Sequence, residues 1–538
     1  MLYMKYWRGV RWMGLMVLAF PAYAAETVIV TATRTAEMVD ETLAPVTVIT
    51  RKEIEDLQAS SVADVLRTVP GVILTNNGGL GQATSLFLRG TNSGHVIVLV
   101  DGVRVGSATL GTTPFELIPL AQVEKIEIVR GPRSSLYGAN AIGGVIQIFT
   151  RPGAANKTMF AKSSLGTDGF RELTAGFVSD SKVGISVRFS HLGSDGFDAC
   201  TGAAGGCYVD EPDRDGHEKS ALAVRFDRQL STGAELGLHF MYSNADTDYD
   251  GSFSNQTETA MRVIGGRLVL DPSTNWRSTV AVGQSLDGAE DFKDRVFSSR
   301  FETLRNSLSW QNDVALGSTG LLTAGVDYQN DTVDSDTVFA VTSRDNTGVF
   351  IQYQKDVERY GVQWALRYDD NEQFGDYTTG SATLGVDTGK DQRATVFYGT
   401  AFKAPTFNDL YYPYGGNPDL LSETSDTEEV NVTYVKNAFD LTVSYYNTDI
   451  ENLIEWAPDA DNVWQPRNLS QADISGVDVT ANYKGLGGNH TFNYGYLDAV
   501  DGATGSRLVR RAKNQFSYQF TASFDTTDLM LNYEFKGD

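Results

Sequence analysis

The stretch Val183-Gly184-Ile185-Ser186-Val187-Arg188-Phe189-Ser190 alternates strictly between apolar side chains and small or polar ones. Successive side chains on a strand point to opposite faces, so this run reads as a strand with one greasy and one polar face. The pattern recurs: Leu222, Val224 and Phe226 alternate with Ala223 and Arg225, and Leu236, Leu238 and Phe240 with Gly237 and His239. Past Pro152-Gly153 helical spacing disappears, and two-residue alternation governs the remaining roughly 400 residues. A soluble β-sandwich also alternates, but it buries its apolar face against a second sheet instead of repeating hairpins over such a length. Arg and His on the polar face suit a wet lumen. Asp198 to His217 and Asn244 to Thr257 are long turn clusters, whereas Gln229 to Gly233 and Asp271 to Asn275 are short. Long loops at one end and short turns at the other are the asymmetry of membrane barrels, so residues 154–538 are expected to form one. Tyr411, Tyr412, Tyr414, Tyr445 and Tyr446 are expected mostly in its interfacial girdle.

The segment ahead of the barrel has a different texture. Thr50-Arg51-Lys52-Glu53 is a capping box opening a short helix through Gln58, and Ser61 caps a second that runs to Val69, where Pro70-Gly71 stops it. Strands follow at Leu86 to Leu88, His95 to Val100, Val123 to Val129 and Val145 to Phe149. Two helices with several strands make a compact α+β unit, placed at 25–153 with its leader.

The chain of 538 residues has 53 Gly, 24 Tyr and 27 Phe against 14 Pro, a balance that favours strands and tight turns. A formal charge of −24 excludes a nucleic-acid surface and agrees with acidic external loops. Lys5, Arg8 and Arg11 precede an apolar stretch from Trp12 to Phe20 and then Ala22-Tyr23-Ala24. That is a secretory signal over 1–24 with an A-x-A cleavage site; the stretch is too short to span a bilayer. Only two cysteines occur, Cys200 and Cys207, and in an exported chain such close neighbours point to one local disulfide rather than free thiols.

Four sets of residues carry a resemblance to the TonB-dependent outer-membrane receptors. Glu26-Thr27-Val28-Ile29-Val30-Thr31-Ala32-Thr33, directly after the cleavage site, resembles the TonB box, a β-prone leader suited to adding a strand to the sheet of a periplasmic partner. Arg89-Gly90, Val100-Asp101-Gly102-Val103 and the glycine-dense run from Arg130-Gly131-Pro132 to Gly143-Gly144-Val145-Ile146 are similar to the family's plug signature. A phosphate-loop reading fails, because no Gly-Lys-Ser/Thr stands where a helix begins. In the barrel, Phe402-Lys403-Ala404-Pro405, Gly415-Gly416-Asn417-Pro418-Asp419-Leu420, Tyr446-Asn447-Thr448-Asp449-Ile450 and Ile474-Ser475-Gly476-Val477-Asp478 are also similar. The fourth set, Asn76 to Ser85, Arg89 to His95 and Leu508-Val509-Arg510-Arg511-Ala512-Lys513, is most similar to the family's cobalamin receptors.

The resemblance implies energised uptake of a corrinoid, with the TonB energy-coupling protein as periplasmic partner. It implies a multi-pass 22-stranded type of barrel around a plug, in outer-membrane lipid, acting as a monomer. Ala83, Ser85, Asn92, Leu110 and Gly111 would touch the ligand from the plug and Arg510 from the barrel, where an arginine suits a phosphate. Asp198, Glu211, Asp213, Asp215 and Asp250, with the Tyr249 carbonyl, would hold calcium. As bare sequence these loops are equally well solvated acids. A siderophore or haem receptor is the nearest alternative. An outer-membrane enzyme or an adhesin barrel is the alternative of another class, but His95, His191, His217, His239 and His490 show no catalytic or metal-ligand spacing, so no enzyme is expected. Family barrels close on an even strand count and an aromatic end, whereas this chain stops at Phe535-Lys536-Gly537-Asp538. By the resemblance about three strands of roughly 22 would be missing through C-terminal truncation.

Overall fold

The computed structural model describes residues 29–30, 34–35, 37–38, 42–153, 157–180, 183–200, 209, 211–458, 463–469 and 471–537. The signal segment 1–24 and most of the leader lie outside them. Within the leader, Ile29–Val30 pairs antiparallel with Glu37–Met38.

The plug is built on a five-stranded sheet in the order Val46–Thr50, Val123–Arg130, Gly144–Thr150, Val96–Val100, Val103–Val105. Only the pairing of Val96–Val100 with Gly144–Thr150 is parallel. Both capping boxes form. The Glu53 carboxylate accepts from the Thr50 N–H at 2.7 Å to start the helix Arg51–Leu57, and Ser61 with Asp64 does the same for Val62–Leu66. The second helix ends three residues earlier than its sequence pattern predicts, because Thr68 and Val69 close 3₁₀-type turns onto Val65 and Leu66. Sequence reading missed the hairpin partner Val72–Asn76 of Thr84–Leu88, and the short helix Ser134–Tyr137 inside the glycine-dense run. Ile54, Val65, Leu66, Val100, Ile126, Ile128 and Ile148 fill the plug core. That core continues without a break into Met241, Met261 and Val263 of the inner wall.

The wall is a 19-stranded antiparallel sheet among the described residues, running in chain order from Thr158–Leu165 to Thr527–Gly537. The hairpin Ile454–Pro458 with Trp464–Asn468 stands apart from it as its own two-stranded sheet. Each end strand of the wall has a single neighbour among these residues. Among the described residues no helix is long and apolar enough to cross a membrane; the strands do so. The predicted alternation is observed: Ser186, Arg188 and Ser190 are buried on the inner face, and Phe189 and Leu238 stand out on the outer one. The short turns fall at 232–233 and 274–275. The long connection from Asp195 to Gly216 is as predicted. The second is tighter than expected, because its strands climb to Asp248 and restart at Gln256.

One of the tyrosines needs correction. Tyr446 is not a girdle residue but lies 2 % exposed inside the barrel, while Tyr445 faces outward at 52 %. Adjacent residues on one strand cannot share a face. Tyr414 is exposed above the wall, and Tyr412 packs edge-on against it and against Trp456 of the upper hairpin.

Candidate ligand cup and its links to plug and wall

Three plug segments reach the end of the barrel that carries the long loops: the hairpin tip after Asn76, the turn at Gly90 to His95 and the loop Gly106 to Thr113. Asn76 shapes the first, donating through Nδ2 to Thr84 Oγ1 at 3.0 Å and accepting from the Gly78 N–H at 2.8 Å. Ala83 and Leu110 are exposed, and Ser85, Asn92 and Gly111 are half-buried. Gly106 and Gly111 both hold positive φ, and a Cβ at either would clash with Thr112 O or Thr406. Glycine is required at the two ends of this loop.

Asn92 sits where plug and wall meet. Its backbone N–H donates to His95 Nδ1 at 3.2 Å, and the opposite ring nitrogen meets Glu423 Oε2 at 2.8 Å. Glu423 also takes the Lys403 ammonium at 2.8 Å and the Ile454 N–H at 2.6 Å. A His95 ring that accepts at Nδ1 carries its proton on Nε2, so the Glu423 carboxylate fixes the tautomer and with it the Asn92 backbone. Arg511 closes the junction from the wall, donating to Asn92 Oδ1 at 2.5 Å and to Gly90 O at 3.0 Å while stacking over Phe87. Arg510, the arginine singled out from sequence, is exposed with φ +63 and makes none of these contacts. Two neighbouring arginines in an irregular segment give no period from which to tell the inward one.

The acidic loops press on the same cup. Gln82 Nε2 donates to Asp248 O at 2.7 Å, and a Cβ at Gly78 or Gly79 would meet Ala199 or Phe197. Carboxylate oxygens of Asp213, Asp215 and Asp250 lie within 4.8 Å of one another. Both Asp250 oxygens are buried without a hydrogen-bond partner. Burial pushes the Asp215 carboxyl up to about 6, with the Asp250, Asp213 and Asp198 charges adding to it, and burial raises Asp250 as well. One exposed, one buried and one half-buried carboxylate converging in this way, with the Asp250 oxygens unpartnered, fit a hard divalent cation. The other three predicted ligands are arranged differently. Glu211 is engaged by the Lys293 ammonium, a hydrogen bond that holds its carboxyl below the usual range. Asp198 accepts the Cys200 N–H, and the Tyr249 N–H donates to Asn255 O. Cys200 is disulfide-bonded; Cys207 lies outside the described residues.

Below the cup, Arg89 enters a closed pocket of the wall, donating to Glu429 at 2.9 Å and to Asp478 at 3.0 Å over the Tyr446 ring. At the opposite end Arg34, just past the leader, makes a paired contact with Asp327 at 2.9 and 3.1 Å. Between these ends lies a cavity of about 1200 Å³ whose lining includes Gly106, Gly111 and Phe407 above and Arg34, Thr232 and Asn275 below.

Two family models match the chain: the TonB-dependent receptor plug domain over residues 39–145 and the TonB-dependent receptor-like β-barrel over 169–538. Vitamin B12 transporters of Photobacterium profundum and Vibrio vulnificus are each 33% identical to it, covering 97% and 95% of this chain and 86% and 84% of theirs. In structure it is similar to the siderophore receptor PirA of Acinetobacter baumannii, with TM-score 0.77 and 18% identity over 91% of this chain and 85% of that one. It is equally similar to the copper transporter OprC, with TM-score 0.78 and 15% identity over 91% and 84%. At those identities the likeness is one of fold.

Proposed function

Because the chain belongs to the TonB-dependent receptors, plugged barrels of the Gram-negative outer membrane, we propose that it imports a corrinoid of the cobalamin type. The observation that carries this reading is the identity sustained across nearly the whole chain with transporters of vitamin B12. The cup supports it. Ala83, Leu110 and Gly111 offer backbone and apolar contact to a broad ring, Ser85 and Asn92 offer partners for its amides, and Arg510 stands exposed at the rim for a phosphate. The leader from Glu26 to Thr33 then engages TonB, and a pull on it rearranges the plug. Family members of this kind move ligand without making or breaking bonds in it.

Titration of the purified receptor with cobalamin, a ferric siderophore and haem tests the ligand class. Cobalamin should bind at about nanomolar Kd and the others at least about a hundredfold more weakly. A preference for either of the others replaces this reading.

We further infer that Asp213, Asp215 and Asp250, with Asp198, Glu211 and the Tyr249 carbonyl, bind calcium and order the loops against Gln82 before ligand arrives. Bound metal would neutralise these charges and reduce the ordering cost of capture. Chelation of calcium should weaken corrinoid binding by about tenfold or more, and Asp250→Asn should reproduce the loss in saturating calcium. An affinity unchanged by chelation removes the metal.

A further inference from the structure

The cavity beneath the loop Gly106 to Thr113 contains a set of three arginines whose hydrogen-bonding capacity is not filled. Arg305 pairs with Asp331 at 2.6 Å and donates to Gly106 O. Arg344 donates to Gln373 at 2.6 Å and Pro405 O at 2.8 Å, stacks over Phe407, and leaves Nη2 buried without a partner. Arg104, on the plug strand Val103–Val105, reaches only Ala139 O at 3.2 Å and Gln329 Oε1 at 3.4 Å, with no carboxylate at ion-pair distance among the described residues. All three line the cavity, and all three act electrostatically on the one carboxylate of Asp331.

Arg34 and Arg367 are matched by Asp327 and Asp369. Asp287 acts on Arg305, and Glu372 and Asp409 act on Arg344, while their carboxylates are held in place by Ser107, by the Asp345 N–H, and by Thr406 and Trp456. Arg104 therefore has no carboxylate at ion-pair distance among the described residues, and Arg344 Nη2 has no hydrogen-bond partner. Guanidinium donors buried without a carboxylate or other acceptor are costly, so a set of this kind asks for an anion. Guanidinium forks suit the paired oxygens of a phosphodiester better than any other side chain.

We propose that Arg104, Arg305 and Arg344 form a transit subsite that receives the phosphate of the imported corrinoid once the loop Gly106 to Gly111 has moved aside. The subsite lies on the path between the cup and the Arg34 contact, and it rests on the corrinoid reading above. Its occupant during transit is the nucleotide-loop phosphodiester, a monoanion. Arg104 belongs to the plug and Arg305 and Arg344 to the wall, so rearrangement of the plug takes the subsite apart and releases the anion onward.

The test compares cobalamin with cobinamide, the corrinoid lacking that phosphate, in cells expressing the full receptor. Arg104→Gln should lower the energised uptake rate of cobalamin by about tenfold while cobinamide uptake and surface binding of both stay within about twofold. Arg104→Lys should restore at least half of the cobalamin rate, since the charge remains. Equal slowing of both corrinoids means a structural role and overturns the subsite, as does an unaltered cobalamin rate. A wild-type receptor that binds neither corrinoid fails at the corrinoid reading itself, a result separable from the first two.

Discussion

Removing residues 26–33 should reduce energised uptake to the level of cells without the receptor, while cobalamin bound at the surface keeps its affinity within about twofold. The asymmetry follows from where the leader sits. The cup is built from the hairpin tip, the Asn92 turn, the Gly106 to Thr113 loop and the acidic loops. The leader's only fastening described is at the other end, where Arg34 meets Asp327 and the Gln311 side chain donates to Arg34 O at 3.1 Å. The Arg34 guanidinium also lies over Phe350 at 4.5 Å and Tyr137 at 4.9 Å. Tyr137 belongs to the plug and Phe350 to the wall, so a force applied to the leader reaches both at one residue. The two-residue ladder of Ile29–Val30 with Glu37–Met38 is too short to hold on its own and can open to a partner strand. Uptake and binding measured on the same cells decide the matter; uptake that survives the deletion would end the coupling role of this segment.

The legible and illegible parts of this molecule divide by range. Thr50 with Glu53 and Ser61 with Asp64 announce the plug helices because a capping box is complete within four residues. Ser186, Arg188 and Ser190 announce the inner face because strand alternation is local too. The residues that seat the plug are invisible for the opposite reason. Asp327 is an ordinary polar position in the strand Leu321–Ser335 and meets Arg34 only because the wall curls round, 293 residues later in the chain. Glu423 likewise meets His95 across more than three hundred positions and takes the Lys403 ammonium beside it, with no spacing to mark the three. Parity explains Tyr446: alternation shows that it and Tyr445 face opposite ways, but which of them faces the lumen depends on the strand's register with the wall. Asp213, Asp215 and Asp250 were legible as acids, and only their convergence, with the oxygens of Asp250 left bare, separates them from solvated loop residues.

Arg89→Ala should loosen the plug within the barrel by about 3–5 kcal/mol, the general cost of stripping one partner from a buried ion pair. Arg89, Glu429 and Asp478 are 4 %, 0 % and 7 % exposed at their side chains, so neither carboxylate can recover water when the guanidinium goes. Arg130 is no substitute, since it is held by Pro70 O and Thr47, and Arg133 donates back to Pro132 O and Arg130 O. Arg89→Lys should fail nearly as badly, because a single ammonium cannot serve two carboxylates on different strands while stacking on Tyr446. The compensated variant separates charge from shape. Arg89→Met with Glu429→Gln and Asp478→Asn leaves no buried charge in the pocket and should recover most of the lost seating. The readout is the urea concentration at which the reconstituted barrel begins to conduct, which reports plug release without unfolding the wall. An unchanged midpoint in Arg89→Ala would show that the apolar contacts through Met241, Met261 and Val263 seat the plug unaided. A low midpoint that the triple variant fails to raise would assign the loss to the Arg89 turn itself, where φ is +50, rather than to its charge.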